Sequence, residues 1–510
     1  MRRISTAIFL GLTATGAALA QQPLSAIEWL DQASTAAVTT APRPSLMEPP
    51  SAATVTVPSV TVTALDAPRA DAVGLLPSTT TGLPVTLWEK SETQTLLRAL
   101  SQLGPEPLPA IQALYYTLLL AEANPPLDAG SEAEFLQARL NALRAFGAIE
   151  PAQAMAERAG PMIKPIFSQW FDLSLLLGQE GPPCAMLSRN PRLTSDIGAR
   201  IYCAARNGDW NTAALTYHSA TALGTLAEPD ATLLALYLDP DLIDDTEPPE
   251  PPQTLTALQF RLFEAVGTAL PTHNLPRAFA MADLRGNSGW KAEIEAAERL
   301  ARTGAVPASR LLGLYTERRP AASGGVWDRV AAIQALDLAL NEGATQDLVE
   351  TLPIARRAAR DARLEVVFAE LFADRFEPLE IPASIALQVF EIIILSEKYE
   401  VASTVLTTPS ADQDFLIQTA RGTPPLATAR TALQEAIAEG FASTLPPPNH
   451  QALIDSGRLG EAILAAALQI GHGERARDAL PGAIATLRAL GLEDTARRTA
   501  LQLLLLESHR

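Results

Sequence analysis

Residues 200–223 read RIYCAARNGDWNTAALTYHSATAL, and this stretch decides the fold. Ile201, Cys203 and Ala204 form an apolar face that ends at Asn207-Gly208, a turn signal. Asp209 then suits a helix N-cap, and Trp210, Ala213, Ala214 and Tyr217 recur at helical spacing. The pattern predicts two helices folded back on each other.

Related patterns recur along the chain as a turn, a large apolar residue and a small residue three positions on. The copies are Gly147/Ile149/Ala152, Gly208/Trp210/Ala213, Gly304/Val306/Ser309 and Gly457/Leu459/Ala462. Two more lack the glycine: His273/Leu275/Ala278 and Glu397/Tyr399/Ala402. In such a unit the large residue wedges between helices and the small one, a turn later, admits the partner helix. The copies lie near multiples of about thirty-one residues, the size of one helix-turn-helix repeat.

These elements resemble the tetratricopeptide-type repeat, although no copy carries the full Trp, Leu-Gly, Tyr, Ala and Pro pattern. The resemblance covers residues 91–507 and implies an all-α fold of stacked helical hairpins forming a superhelix, an α-solenoid. The body is also similar to the helical superhelix of soluble lytic transglycosylases, but the separate catalytic domain that carries their Glu-Ser motif has no counterpart here.

Composition agrees with packed helices. Of 510 residues 47% are hydrophobic but only 5% aromatic, which favours Ala- and Leu-rich helices over sheets. Arg2 and Arg3, the apolar run from Ile8 and Ala18-Leu19-Ala20 form a secretion signal over 1–20, implying a periplasmic or secreted protein. Residues 21–90 are expected to hold a short amphipathic helix (24–34, LSAIEWLDQAS) and an extended Pro/Thr/Val-rich tether. The tether either stays a free linker or docks along the helical body as an extended strip. Helical-repeat regions are expected at 91–238 and 254–510, separated by the acidic, Pro-rich loop 239–253. Cys184 and Cys203, nineteen positions apart in an oxidising compartment, are expected to form a disulfide between neighbouring helices.

Several functions are disfavoured. The net charge of −18 repels nucleic acid and anionic headgroups. After signal cleavage no segment is long and apolar enough to span a membrane. The five histidines, at 218, 273, 450, 472 and 509, form no zinc motif, and no G-x-S-x-G elbow, P-loop or dinucleotide fingerprint occurs. No catalytic residue, metal site or cofactor is therefore expected. Glu293/Glu295/Glu298 read as a solvated helix face and Asp412/Asp414 as a helix start. Trp170, Trp290 and Trp327 are the aromatic residues suited to a saccharide or lipid cleft. The function expected is a non-catalytic envelope scaffold or adaptor for a protein or peptide partner. The alternative is an envelope enzyme or accessory acting on peptidoglycan or polysaccharide.

Overall fold

The decisive stretch forms the helices Ile197–Arg206 and Trp210–Ala222. Asp209 caps the second, its carboxylate accepting from the Thr212 N–H at 3.1 Å. The computed structural model describes residues 69–471 and 476–506, and over these the chain is all-α. The expected signal, the 24–34 helix and the tether up to residue 68 lie outside the described residues, as do His472 and His509. No strand occurs among the described residues; one isolated bridge joins Leu76 to Ala121.

Six hairpins share one turn. The first helix ends at a residue with left-handed backbone, one more residue follows, and the next helix begins. The left-handed residues are Gly147, Gly208, Gly343, Arg363, Gly457 and Gly491. The residue after each reaches back five positions, as in Ala148 N to Leu143 O (2.9 Å) and Leu364 N to Ala359 O (2.9 Å), satisfying a carbonyl that the ending helix leaves open. Glycine serves here because a left-handed backbone crowds any Cβ. The fourth residue of each following helix is buried: Ala152, Ala213, Leu348, Phe368, Ala462 and Ala496.

Burial therefore follows the fourth position more faithfully than the first. Ile149, Val306 and Tyr399 are buried and Leu275 and Leu459 partly so, but Trp210 is 50% exposed. Its helix packs through the small Ala213 and Ala220, so the indole rests tilted against Tyr237 with its other side open. Ala278 and Ala402 are buried like their counterparts, whereas Ser309, second in the helix Ala308–Thr316, faces outward. The two glycine-free copies fold as 3-10 turns, Thr272–Asn274 and Arg277–Phe279 for one and Tyr399–Thr404 for the other.

The chain packs on the helical body already from residue 69. Asp71, buried, accepts from Leu136 N at 2.7 Å and so caps the helix Glu134–Phe146, whose own N-cap, Ala133, offers no side-chain acceptor. Buried Arg139 answers from that helix, donating to the carbonyls of Val73 (2.7 Å), Leu119 (2.8 Å) and Ala121 (2.9 Å). Leu87 and Trp88 are buried as well. The acidic segment contains the 3-10 turn Pro240–Asp244, and the apolar core continues across it, with Leu233 and Leu236 in one cluster with Phe260 and Phe263.

Sequence-neighbouring helices make most of the contacts, yet the two ends of the described chain also meet. Pro109–Leu120 packs on the last helix, Glu493–Leu506, and Thr93–Ser101 meets Leu459–Ile470. Gln502 of the last helix accepts from Ala110 N at 2.8 Å, and Gly460 N donates to Leu87 O at 3.1 Å. The last helix is buried nearly all round. Its Ala496, Ala500 and Leu503 join one hydrophobic cluster while Leu501 and Leu505 join the other.

Where the ends meet, a Cβ on Gly460 would lie 2.3 Å from the Trp88 ring. That ring is 2% exposed and has no room to retreat. Gly460→Ala is therefore expected to destabilise the protein by about 1–3 kcal/mol, read by urea unfolding. Unchanged stability would contradict this packing.

Candidate binding cavity

A cavity of 530 Å³ opens beside the meeting of the two ends. Its wall is assembled from six separated segments. They are the loop and helix around 106–116, the turn 301–308, the junction 360–370, Glu397, the end of the helix Leu459–Ile470, and the last helix. The volume lies in the range of small-ligand sites.

One end of the wall is rich in arginine. Glu106, set between Pro105 and Pro107, is gripped from two sides. Arg277 Nη2 donates to its Oε1 and Arg363 Nη1 to its Oε2, both at 2.7 Å. Arg299 spends its guanidinium on the carbonyls of Thr272 (2.9 Å) and Leu275 (2.6 Å), and Arg302 Nε donates to Ala362 O at 2.8 Å. Burial, and then Arg277, holds Arg299 below the ordinary arginine pKa; burial, and then Arg363, does the same to Arg302. Four cations thus crowd together with Glu106 as the carboxylate paired directly to two of them. Of these, Arg302 and Arg363 line the cavity, together with Arg360.

Arg363 occupies the left-handed turn position that glycine takes in the five sister turns, at φ 55°. An L-residue there costs roughly 1–2 kcal/mol. Its ion pair is 57% exposed on the arginine side and returns about 0.2–1 kcal/mol. A strained arginine that stability alone does not justify marks a position kept for its side chain.

The other end is acidic. Glu370 stands on the helix Glu365–Phe376, and Glu397 lies nearby. Burial raises the Glu370 pKa, Arg498 opposes that rise, and Glu397 adds to it. Arg498 is only loosely held, with Nη1 3.9 Å from Asp494 and Nε without a partner. Gln112, on the helix Pro109–Leu120, is 2% exposed, and neither its amide oxygen nor its nitrogen has a partner.

Of the residues singled out from the sequence, Val306 lines this cavity. Cys184 and Cys203 are bonded, with Cα atoms 4.7 Å apart, between the helices Gly181–Arg189 and Ile197–Arg206. Trp170 is buried and donates to Glu157, and Trp290 packs on Trp327 with ring centroids 5.0 Å apart. His450 is buried against Thr486 and Gln469. Of the acids expected on a solvated face, Glu295 is exposed but Glu293 and Glu298 are buried, Glu298 accepting from Arg329. No group of three or more metal-ligating side chains occurs among the described residues, and no helix there is long and apolar enough to cross a membrane. Neither a protein family, nor a curated protein, nor a solved structure matches this chain.

Two outcomes check the electrostatics. Arg363→Gly relieves the turn while losing an exposed ion pair, so unfolding free energy should not fall and should rise by at most about 2 kcal/mol. A carboxyl with a raised folded pKa weakens the fold when ionised, and this penalty vanishes as pH falls below the unfolded value. Glu370→Gln should therefore raise Tm at about pH 7 and leave it unchanged at about pH 3. A lowered Tm at neutral pH would contradict the placement of Glu370.

Proposed function

We propose that the protein is a non-catalytic helical-repeat scaffold of the cell envelope, periplasmic or secreted, whose cavity holds a peptide or a segment of a protein partner. The recurrent turn and its buried fourth position support a tetratricopeptide-like stack of hairpins. The bonded Cys184 and Cys203 and the N-terminal pattern over 1–20 support export to an oxidising compartment.

The observation that carries the reading is the wall of the cavity. It offers separated cationic and anionic ends around an amide with no partner of its own, a combination that orients a polar chain. Stacked hairpins supply such concave surfaces as a by-product of their curvature.

A photo-crosslinking residue at Ala113, exposed on the cavity wall, should form a discrete adduct in intact cells. Digestion of that adduct should yield a peptide joined at this position. The same probe at His218, exposed on an outer helix, should not yield it. No adduct at 113, or equal adducts at both positions, would sink the reading.

A further inference from the structure

We propose that the occupant is a short free peptide of about three residues, its carboxylate held by Arg302, Arg360 and Arg363 and its amino group by Glu370 and Glu397. This rests on the cavity being the binding site. It adds which chemistry is bound and which way round.

The first argument is charge. Over the whole chain acids outnumber bases, giving −18, yet one end of this cavity gathers arginines from three separate elements around Glu106. Burial and mutual repulsion push both Arg299 and Arg302 down, and the lining arginines Arg302, Arg360 and Arg363 outnumber the carboxylates Glu106 and Glu365 beside them. A carboxylate supplies negative charge and matches the planar guanidinium fork. At the other end burial and the neighbouring Glu397 push Glu370 up against the pull of Arg498. That end is short of positive charge, which an ammonium group supplies.

The second argument is length. Arg363 and Glu370 are seven residues apart on one turn and the helix that follows it. Glu370 lies five residues into the helix Glu365–Phe376, about 7.5 Å along it at about 1.5 Å per residue, and the turn residue Arg363 lies beyond its start, so the two ends are roughly 10 Å apart. An extended peptide advances about 3.3–3.6 Å per residue, so about three residues reach from one end to the other. A longer chain would have to leave the cavity, losing one of the two end charges.

The third argument is Gln112. Gln112 lines the same wall, and its amide is buried with donor and acceptor both unpartnered, at a cost of about 1–3 kcal/mol for a buried unsatisfied group. A peptide bond is the complement of a carboxamide, offering one acceptor and one donor side by side.

The test uses the purified full chain and a pooled library of tripeptides free at both ends, with retention read by ultrafiltration and mass spectrometry. Free tripeptides should be retained, and N-acetylated or C-amidated versions of the same pool at least tenfold less. Arg360→Gln should abolish the discrimination against the amidated pool, and Glu397→Gln that against the acetylated pool. Circular dichroism establishes that each variant is folded. Gln112→Leu should weaken retention tenfold without lowering Tm, a pairing that a merely structural glutamine would not give.

Equal retention of free and blocked pools, or no retention of the free pool, overturns the inference. If the free pool fails while the probe at Ala113 still captures a peptide segment, the broader scaffold reading stands and only the free-ended ligand falls. If both fail, the cavity is not the binding site.

Discussion

The structure depends on the burial of its last helix. Glu493–Leu506 is enclosed on opposite sides by two hydrophobic clusters, and it also packs against Pro109–Leu120 from the start of the body. A helix contacted on every side must be apolar around its circumference, and Ala496, Ala500, Leu501, Leu503 and Leu505 make it so. Thr499 and Gln502 are its buried polar residues, and the Gln502 amide oxygen does the work of an N-cap for the helix Pro109–Leu120. Stacked hairpins ordinarily touch their neighbours alone. Contact between first and last elements adds long-range restraint, and it also supplies the remaining walls of the cavity.

The hairpins themselves were legible because their turns are local chemistry. Asn207-Gly208-Asp209 announces a left-handed stop and a cap in three residues, and the fold follows it without deviation. What sequence pattern misjudged was the weight of the first helical residue. Thr345, Glu365 and Glu493 open helices in the same geometry as the buried Ile149 and the half-exposed Trp210, so that position accepts both polar and apolar side chains. The fourth position cannot vary so freely, since it faces the partner helix at close range. A search for a left-handed residue followed five positions later by a small or apolar one finds all six turns. A search for a large wedge finds three of them.

The cavity was not legible, and the reason is equally physical. Glu106, Gln112, Arg302, Arg363, Glu370, Glu397 and Arg498 belong to five segments, and no spacing in the chain relates them. Each looks ordinary alone: an acid between prolines, a glutamine on an apolar helix, arginines near helix ends. One anomaly was visible in principle. The hairpin between Thr345–Asp361 and Glu365–Phe376 has Asp361-Ala362-Arg363-Leu364 where its sisters place glycine, and glycine is what a left-handed position ordinarily selects. An arginine at that place makes sense only once Glu106 and the cavity are seen beside it.

Electrostatics explains why such a site must be built from paired ends in this chain. A surface as acidic as this one attracts cations generally and gives no specific hold on an anionic group. The surface field is screened within about 8 Å at physiological salt, whereas charges on a partly enclosed wall interact through a medium less polar than water. The arginines around Glu106 therefore act on whatever enters the cavity with little interference from the rest of the surface. The same enclosure makes their mutual repulsion expensive, and the protein meets that cost with Glu106, with backbone carbonyls and with a strained turn. Those supports fix the guanidinium groups without neutralising them all. A group bearing the missing negative charge lowers the energy of the whole cluster, and the nearby carboxylates favour one that also brings a positive charge.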